Sequence, residues 1–330
     1  MRVAIIGAGA IGGWIGVRLA KAGHAVSVLA RGATLTAIQA QGWALVEGGV
    51  KTVERVAVSD DPVALGPQDL VVLAVKGPAL PDLAPRIAKL IGPSTLIMPA
   101  MNGVPWWFLL GGGGELPSMP LETLDPTGAI ATALPFDQVI GCVVHASASV
   151  NAPGEVIHKA GNRLIIGAPD GASARAATVC EAFEDAGFDV VRSGHIQRDI
   201  WYKLWGNMTM NPISALTGAT CDRLLDDPLV TGFVLRVMAE AQTIGARVGC
   251  RIDERGEDRN AITRGLGAFK TSMLQDVEAG RALELDQLLA APREIARRLG
   301  IETPNLDALF GLARLFGRSR GLYPEDLGRA

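Results

Sequence analysis

A glycine-rich turn near the N-terminus constrains the fold of this chain more than any other feature. Val3–Ile6 is a short apolar run, mostly β-branched, and Ile11–Ala22 has the composition of a helix. Between them lies a G-x-G-x-x-G pattern, formed by Gly7, Ala8, Gly9, Ala10, Ile11 and Gly12. In a strand–turn–helix context these glycines allow a tight turn, close approach of the backbone to a pyrophosphate, and tight helix–strand packing. The segment therefore predicts a Rossmann domain that binds a dinucleotide at the start of the helix.

The residues after the second predicted strand distinguish between the two common dinucleotides. Val26–Leu29 is that strand, and Ala30-Arg31-Gly32 follows it. An acidic side chain here would accept hydrogen bonds from a ribose 2′-hydroxyl, whereas the guanidinium of Arg31 suits a 2′-phosphate. We therefore expect NADP(H) as the cofactor. A solvated surface arginine is the alternative.

Two polar residues follow further strands of the same predicted sheet. Lys76 comes directly after Leu70–Val75, and Asn102 comes shortly after Thr95–Met98. Ligands of open α/β sheets bind at the carboxyl ends of parallel strands, so both residues are site candidates. From position alone, a surface role is equally open for each. The remaining elements expected before residue 195 are strands at Gly141–Val150, Gly154–Lys159, Arg163–Ile166 and Phe188–Val191, with a helix at Ala172–Ala186.

Beyond about residue 195 the sequence has helical patterns and no convincing strand. The predicted helices are Trp201–Asn211, Pro228–Val248, Arg255–Asp276, Leu285–Leu299 and Pro304–Leu315. The expected fold is thus an α/β Rossmann domain with a mostly parallel sheet, followed by an all-α domain. The predicted boundaries are residues 1–194 for the first and 195–330 for the second, since 330 residues suit two domains.

Charge and cysteine content exclude several classes of function. The net charge of −3 and the pI of about 5.9 provide no basic face for nucleic acid or an anionic membrane. We expect no signal peptide and no membrane-spanning stretch. The four cysteines are scattered without metal-ligand spacing, which favours reduced thiols, no metal and a cytoplasmic location.

The segment Trp201–Pro212 carries the most informative polar pattern of the second domain. Residues four apart on a helix advance only about 40° around the axis, so Lys203, Asn207 and Asn211 line one face. Polar groups on an otherwise apolar helix need partners or a wet cleft, and a structural network between helices is the alternative. Ser272 and Glu284 could meet this face. Glu284 is equally explained as a carboxylate near a helix N-terminus.

With these motifs the chain resembles the ketopantoate reductases, or 2-dehydropantoate 2-reductases, over essentially its whole length. The motifs are Gly7–Gly12, Arg31, Val75-Lys76, Asn102-Gly103, Lys203-x-x-x-Asn207-x-x-x-Asn211-Pro212, Ser272-Met273-Leu274-Gln275-Asp276 and Glu284-x-Asp286. The resemblance implies a Rossmann domain, a helical domain and an active site in the cleft between them. It implies NADPH-dependent reduction of 2-dehydropantoate to (R)-pantoate, on the route to pantothenate and coenzyme A.

The resemblance also implies roles for individual residues. Lys203 matches the proton donor to the carbonyl oxygen, and Glu284 matches a catalytic glutamate near the nicotinamide. Substrate-binding positions match Asn102, Lys203, Asn207, Asn211 and Ser272. Cofactor-binding positions match Gly7, Ala8, Gly9, Ala10, Ile11, Gly12, Arg31, Lys76, Asn102, Ala146 and Glu284.

The chain departs from the family pattern on the substrate side. Leu289-Ala290 stands where the family often has Asn-Gly, and Cys221 where members can have a substrate-contacting asparagine. Pro292 is expected to kink or restart its helix. The loop Trp106–Asp125 is long and glycine-rich. Its residues 106–108 (Trp-Trp-Phe) form either an exposed patch for a homodimer partner or the core of the loop.

Two alternative functions stay open at this point. The first is a reductase of the same architecture that acts on another 2-oxo acid or on an imine, as opine-type dehydrogenases do. Imine chemistry typically uses a His–Asp pair, which is not evident in the second domain. The second alternative is a non-catalytic NADPH-binding sensor, which would need neither Lys203 nor Glu284.

Overall fold

The chain divides into two compact units, which we describe separately. The structure, a computed structural model, describes residues 1–325. Unit 1 comprises Met1–Met101 and Thr127–Asp199, and unit 2 comprises Asn102–Pro126 and Ile200–Ala330. The predicted division at residues 194 and 195 differs from these units in two respects. The junction follows Asp199, and the segment Asn102–Pro126 groups with the later helices.

Unit 1 is an α/β unit built on two sheets. Its strands are β1 (Arg2–Ile6), β2 (Ala25–Leu29), β3 (Trp43–Glu47), β4 (Val50–Glu54), β5 (Ala57–Ser59), β6 (Leu70–Leu73), β7 (Leu96–Pro99), β8 (Gly141–Ala152), β9 (Glu155–Gly167) and β10 (Asp189–Arg192). Its helices are α1 (Ala10–Lys21), α2 (Gly32–Gln41), α3 (Leu80–Ile87), α4 (Ala129–Ala133) and α5 (Ser173–Asp185).

The first sheet is parallel throughout, in the order β5-β2-β1-β6-β7. Ile6 at the end of β1 pairs with Leu29 of β2 on one side and Leu73 of β6 on the other. The chain therefore leaves these three strands at the same edge, on both sides of the point where the strand order reverses. This is the edge at which open α/β sheets bind ligands. The predicted Rossmann architecture is confirmed.

The second sheet is mixed and is centred on β9. Strand β8 pairs antiparallel with β9, while β3 and β10 pair parallel with its first and last parts. The prediction of separate strands at Gly154–Lys159 and Arg163–Ile166 was wrong, because β8 pairs with β9 on both sides of Gly161. Gly161 has a φ of +74°, and a Cβ there would lie 2.4 Å from the His145 carbonyl oxygen.

Helix α1 packs on both sheets through its small residues. A Cβ on Gly13 would lie 2.4 Å from Val156 Cγ2 of β9, and one on Gly16 would lie 2.4 Å from the Trp43 ring of β3. Trp14 and Trp43 are themselves fully buried. The glycines of α1 therefore serve close packing against the second sheet, at the expense of helix propensity.

Unit 2 is helical, as predicted. Its helices are α6 (Ile196–Thr217, whose first residues lie in unit 1), α7 (Cys221–Asp226), α8 (Pro228–Arg247), α9 (Gly256–Arg264), α10 (Ser272–Glu278), α11 (Ala291–Arg298) and α12 (Pro304–Ser319). The single helix predicted over Arg255–Asp276 was wrong, because α9 ends before Gly267, which has a φ of +69°, and Thr271 caps a new helix by accepting the Leu274 N–H at 3.1 Å. Before α11, Asp286–Ala290 is π-helical.

The segment Asn102–Pro126 is anchored to unit 2 by polar contacts at both ends and in the middle. The Val104 N–H donates to the Gln287 carbonyl at 2.9 Å, and the Glu115 N–H donates to the Arg247 carbonyl at 2.8 Å. The side chains of Glu115 and Arg247 are also paired, at 2.6 Å. A Cβ on Gly114 would lie 2.1 Å from the Arg247 carbonyl oxygen, which accounts for glycine in this part of the loop.

The apolar residues of this segment form its core. Trp106, Trp107, Phe108 and Leu109 are all at most 3% exposed. Of the two alternatives left by the sequence, an exposed patch and a loop core, the structure has the loop core. Within residues 1–325, no helix combines the length and apolar composition needed to cross a membrane.

Glu294 links the segment to α11 and provides a test of this anchoring. The buried carboxylate accepts the N–H groups of Glu122 at 3.0 Å and Thr123 at 2.8 Å, and it pairs with Arg298. Burial raises the pKa of Glu294, but the hydrogen bonds and Arg298 outweigh it and hold the pKa below 4.5. The ionised carboxylate therefore stabilises the fold above this pH, and the stabilisation is lost as the pH falls through the folded-state pKa.

We predict that Glu294→Gln lowers the free energy of unfolding by about 1.5–3 kcal/mol at neutral pH, because two amides lose a charged acceptor. The difference from the unmodified protein should shrink as the pH falls below the ordinary carboxyl value of 4.5. Urea unfolding followed by tryptophan fluorescence over a pH series measures both effects. The matched control is Glu115→Gln at the exposed pair with Arg247, where little change is expected. Equal losses in the two variants would contradict the anchoring role of Glu294.

Candidate active site

The glycine turn of unit 1 has the geometry that its pattern predicts. Gly7 has a φ of +104°, and a Cβ there would lie 2.8 Å from both Ala74 O and Val75 Cγ1, in the connection that follows β6. A Cβ on Gly12 would lie 1.9 Å from the Gly7 carbonyl oxygen. Gly7 and Gly12 are thus required by the turn and by the packing of α1.

Gly9 differs from these two glycines. A Cβ on Gly9 would meet nothing within 4 Å, so the fold itself leaves room for a side chain there. Gly9 is also the N-cap of α1, and no side chain within the described part of the chain caps this helix. Open space beside uncapped N–H groups at a helix N-terminus fits a phosphate that approaches the backbone closely. These features fit the pyrophosphate of a dinucleotide.

Arg31 lies beyond the end of β2 and is exposed. It is the N-cap residue of α2, a helix whose N-terminus has no side-chain cap among the described residues. A guanidinium beside helix N–H groups can bind a phosphate through charge-assisted hydrogen bonds. This position fits both interpretations of Arg31, a ligand for the 2′-phosphate and a solvated surface residue.

Lys76 and Ala146 are the other unit 1 residues singled out by the sequence. Lys76 follows β6 and precedes a 3₁₀ turn at Gly77–Ala79, and it is half-buried. Ala146 lies in β8 between His145 and Ser147, where the register with β9 shifts. Such irregularities re-aim backbone groups and are common beside binding sites.

In unit 2, helix α6 presents the predicted polar stripe. Lys203 and Asn207 are half-buried, and Asn211 is 6% exposed. The other faces of α6 are fixed by Trp201 and Trp205, whose indole N–H groups donate to carbonyls of α8 at 3.1 and 2.9 Å. The stripe therefore lies on a rigidly anchored helix.

Two pairs of predicted residues meet in unit 2. Lys203 Nζ donates to Asn102 Oδ1 at 2.8 Å, although the two residues lie far apart in the sequence. Asn211 Nδ2 lies 3.4 Å from Ser272 Oγ, at the start of α10. An ammonium, carboxamides and a hydroxyl are thus presented by two helices, α6 and α10, and by the loop at Asn102, a set suited to binding a carbonyl and a carboxylate.

The predicted Glu284-x-Asp286 motif separates into two environments. Glu284 is half-buried and precedes the π-helical segment, and its carbonyl accepts the Leu288 N–H at 3.3 Å. Asp286 accepts a hydrogen bond from the Tyr323 hydroxyl at 2.5 Å, and burial raises the pKa of its carboxyl. Asp276 pairs locally with Arg281 at 2.9 Å.

Two of the positions at which the chain departs from the family pattern, Leu289 and Cys221, are buried. Leu289 is 0% exposed and Cys221 is 2% exposed. Burial and the neighbouring Asp222 raise the pKa of Cys221 to about 11, so the thiol is neutral at neutral pH.

No group of three or more metal-ligating side chains occurs within residues 1–325. Gln287, which contacts Gly103 and Val104, was not among the predicted site residues. The one sequence signal near it was Pro292, which predicts an interruption of the helix.

Two family models match the chain. The model described as Ketopantoate reductase PanE/ApbA matches residues 3–171, and Ketopantoate reductase PanE/ApbA C terminal matches residues 195–316. A 2-dehydropantoate 2-reductase from Mesorhizobium japonicum is 41% identical over 98% of this chain and 100% of its own length.

Solved structures show the same similarity. A crystal structure from Ralstonia solanacearum MolK2, described as that of a ketopantoate reductase, has a TM-score of 0.94 and 54% identity and covers 98% of this chain and 99% of the other. D-mandelate dehydrogenase, solved with NADH and anilino(oxo)acetate, has a TM-score of 0.84 over 98% of this chain and 100% of its own. At 20% identity it shows likeness of fold alone. The chain belongs to the ketopantoate reductase family and is an oxidoreductase that acts on a CH–OH group.

Proposed function

We propose that this protein reduces 2-dehydropantoate to (R)-pantoate with NADPH, in the cytoplasmic route to pantothenate and coenzyme A. The observation that carries the proposal is the hydrogen bond from Lys203 Nζ to Asn102 Oδ1 at 2.8 Å, at the head of the α6 polar stripe. The named activity of the relative from Mesorhizobium japonicum, similar over its full length, supports the choice of substrate.

Lys203 is the proposed proton donor. When bound, the dihydronicotinamide supplies the hydride that the C2 carbonyl carbon receives. Negative charge then builds on the carbonyl oxygen, where the Lys203 ammonium stabilises it and delivers a proton. Asn102 orients the ammonium by accepting one of its N–H groups. Glu284 is the second proposed catalytic residue, a carboxylate near the nicotinamide.

The rest of the stripe is proposed to bind the substrate. Asn207 and Asn211 offer amide N–H groups, and Ser272 offers a hydroxyl close to Asn211. Donors of this kind bind the carboxylate that every 2-oxo acid carries. Lys203 and Asn102 are proposed to contact the ketone oxygen of the substrate.

Unit 1 is proposed to hold the cofactor. The open space at Gly9 and the uncapped N-terminus of α1 suit the pyrophosphate. Arg31 would bind the 2′-phosphate that distinguishes NADPH from NADH. Lys76, Asn102, the Ala146 backbone and Glu284 are the remaining cofactor contacts in the proposal.

The alternative substrate is another 2-oxo acid. The observation that favours it is the departure at Cys221, which places a buried, weakly polar thiol where family members can have a substrate-contacting asparagine. The hydride and proton steps would be the same. The proposal includes a homodimer, for which the buried residues 106–108 offer no exposed patch.

Turnover of NADPH with purified protein tests the proposal directly. We expect loss of the reduced-nicotinamide absorbance with ketopantoate and little with pyruvate or other 2-oxo acids. Turnover with only a different 2-oxo acid would change the substrate assigned to the protein and leave the proposed mechanism unchanged. Tight NADPH binding without any turnover would overturn the enzymatic proposal in favour of a sensor.

We predict that Lys203→Ala lowers kcat by about 10²–10⁴-fold, because a positioned proton donor is lost. NADPH binding, followed by fluorescence, should be unchanged. Lys203→Arg should retain the charge but recover little turnover, because a guanidinium rarely gives up its proton. The control is Lys270→Ala, which removes an exposed lysine paired with Glu278. Retained turnover in Lys203→Ala would remove the lysine from the mechanism.

We predict that Arg31→Ala raises KM for NADPH by about 10–100-fold, because charge-assisted hydrogen bonds to the 2′-phosphate are lost. KM for NADH, which lacks this phosphate, should hardly change. The measurement is therefore the ratio of KM for NADPH to KM for NADH in the variant and in the unmodified protein. Arg55→Ala is the control, since Arg55 lies on the same unit and donates to the Ala40 carbonyl at 3.1 Å. Equal KM changes for both cofactors would identify Arg31 as a surface residue.

A further inference from the structure

The π-helical segment Asp286–Ala290 leaves one main-chain carbonyl without a helical donor. The Ala291 N–H reaches back five residues to the Asp286 carbonyl instead of four residues to Gln287. The next residue, Pro292, has no N–H to donate. The Gln287 carbonyl therefore receives no bond from either residue that could supply one within a helix.

This carbonyl is used by a different part of the chain. It accepts the N–H of Val104 at 2.9 Å, in the segment Asn102–Pro126. Both residues are buried, at 0% exposure for Val104 and 8% for Gln287. Away from water, an amide that lost this acceptor would remain unsatisfied, so the bond fixes the turn strongly.

Gly103 brings the turn directly against Gln287. It has a φ of +78°, and a Cβ there would lie 2.6 Å from both the Cβ and the main-chain oxygen of Gln287. Contacts this short are not available to a side chain, so the approach requires glycine on steric as well as conformational grounds. The residue before it, Asn102, accepts the hydrogen bond from Lys203 Nζ at 2.8 Å.

We propose that Gln287 is a positioning residue for the reduction. Its main-chain carbonyl, made available by the π-helical turn and Pro292, fixes the turn at residues 102–104. This turn determines where Asn102 lies, and Asn102 positions the Lys203 ammonium through their hydrogen bond. This inference rests on the proposed function of Lys203. It adds a reason for proline at position 292 and glycine at position 103.

Gly103→Ala tests the contact, with Gly300→Ala as its matched control. Gly300 also has a positive φ, +66°, but a Cβ there meets nothing within 4 Å, so this variant carries the backbone strain alone. In Gly103→Ala we expect kcat to fall by about 10–100-fold, because small displacements of a catalytic group are costly. KM for NADPH should rise by a smaller factor, because Asn102 is also a proposed cofactor contact. Hydride transfer measured in a single turnover should slow by the same factor as kcat or more, since the chemical step is the one affected.

Pro292→Ala tests the carbonyl itself without adding a clash. It restores an N–H that competes with Val104 for Gln287, and Pro304→Ala, at the exposed start of α12, is the control. We expect the Val104 amide to exchange with solvent about fivefold faster or more, the loss expected for one ordinary hydrogen bond. The acylation of Lys203 by acetic anhydride, measured by mass spectrometry, should also be faster in Pro292→Ala and Gly103→Ala than in their controls.

The two sets of readouts separate this inference from the proposed function. Faster Val104 exchange and Lys203 acylation in a protein that turns over no 2-oxo acid would leave the positioning of Lys203 supported and the proposed reaction overturned. Unchanged exchange and acylation in both variants would overturn the positioning role of Gln287. A loss of kcat in Gly103→Ala with the single-turnover rate constant of hydride transfer at its unmodified value would also overturn it, because that pattern indicates a smaller folded fraction.

Discussion

The segment Asn102–Pro126 has to be held in place by the helices of unit 2, and the chemistry proposed for this protein depends on that constraint. The segment has no helix or strand of its own to satisfy its backbone. Turns within the segment pair many of its amides, and four more, those of Val104, Glu115, Glu122 and Thr123, are paired with Gln287, Arg247 and the Glu294 carboxylate. Its aromatic side chains are buried. The first residue of the segment is Asn102, the partner of Lys203. A displacement of the segment would therefore also displace the Lys203 ammonium, because Lys203 is hydrogen-bonded to Asn102.

Glycine has two different uses in the two halves of the proposed site. Gly7, Gly12 and Gly103 are required by the protein itself, because a Cβ at each would overlap main-chain atoms. Gly9 is not required in this way, since its Cβ would enter open space. A small residue with no internal steric reason beside an uncapped helix N-terminus is best explained by a ligand that fills the space. The contrast supports a dinucleotide more strongly than the G-x-G-x-x-G pattern does.

The elements that the sequence predicted well are those whose signal is local. The buried strands β1, β2, β6 and β7 are apolar runs ended by glycine, alanine or polar residues, and the stripe on α6 follows from helical periodicity alone. Helix α2 was not predicted, because only Ile38 of Gly32–Gln41 is buried and the segment lacks an apolar face. The continuity of β9 through Gly161 depends on its pairing with β8, which is not local information.

The candidate site shows the same limit. Periodicity placed Lys203, Asn207 and Asn211 on one face, and strand order placed Asn102 after β7. The bond between Lys203 and Asn102 depends on the packing of the segment that follows, which its sequence does not encode in any periodic pattern. Pro292 signalled a break in its helix. The π-helical form of that break, and the hydrogen bond from Val104 to the carbonyl it frees, appear only in the folded chain and have no local signal in the sequence.

The departures from the family pattern bear differently on substrate choice. Leu289 is fully buried in the π-helical segment, so it affects the packing that fixes Gln287 and offers nothing to a ligand. Cys221 is a neutral, buried thiol, a much weaker hydrogen-bond donor than an amide. A site discriminates strongly against a substrate only where its buried polar groups would be left unpaired. With a thiol at position 221, the polar side chains that remain are Asn207, Asn211 and Ser272, and these are suited to the carboxylate that all 2-oxo acids share. The selectivity expected for ketopantoate therefore has to come from apolar contacts with the rest of the substrate, which discriminate less strongly than buried polar groups do.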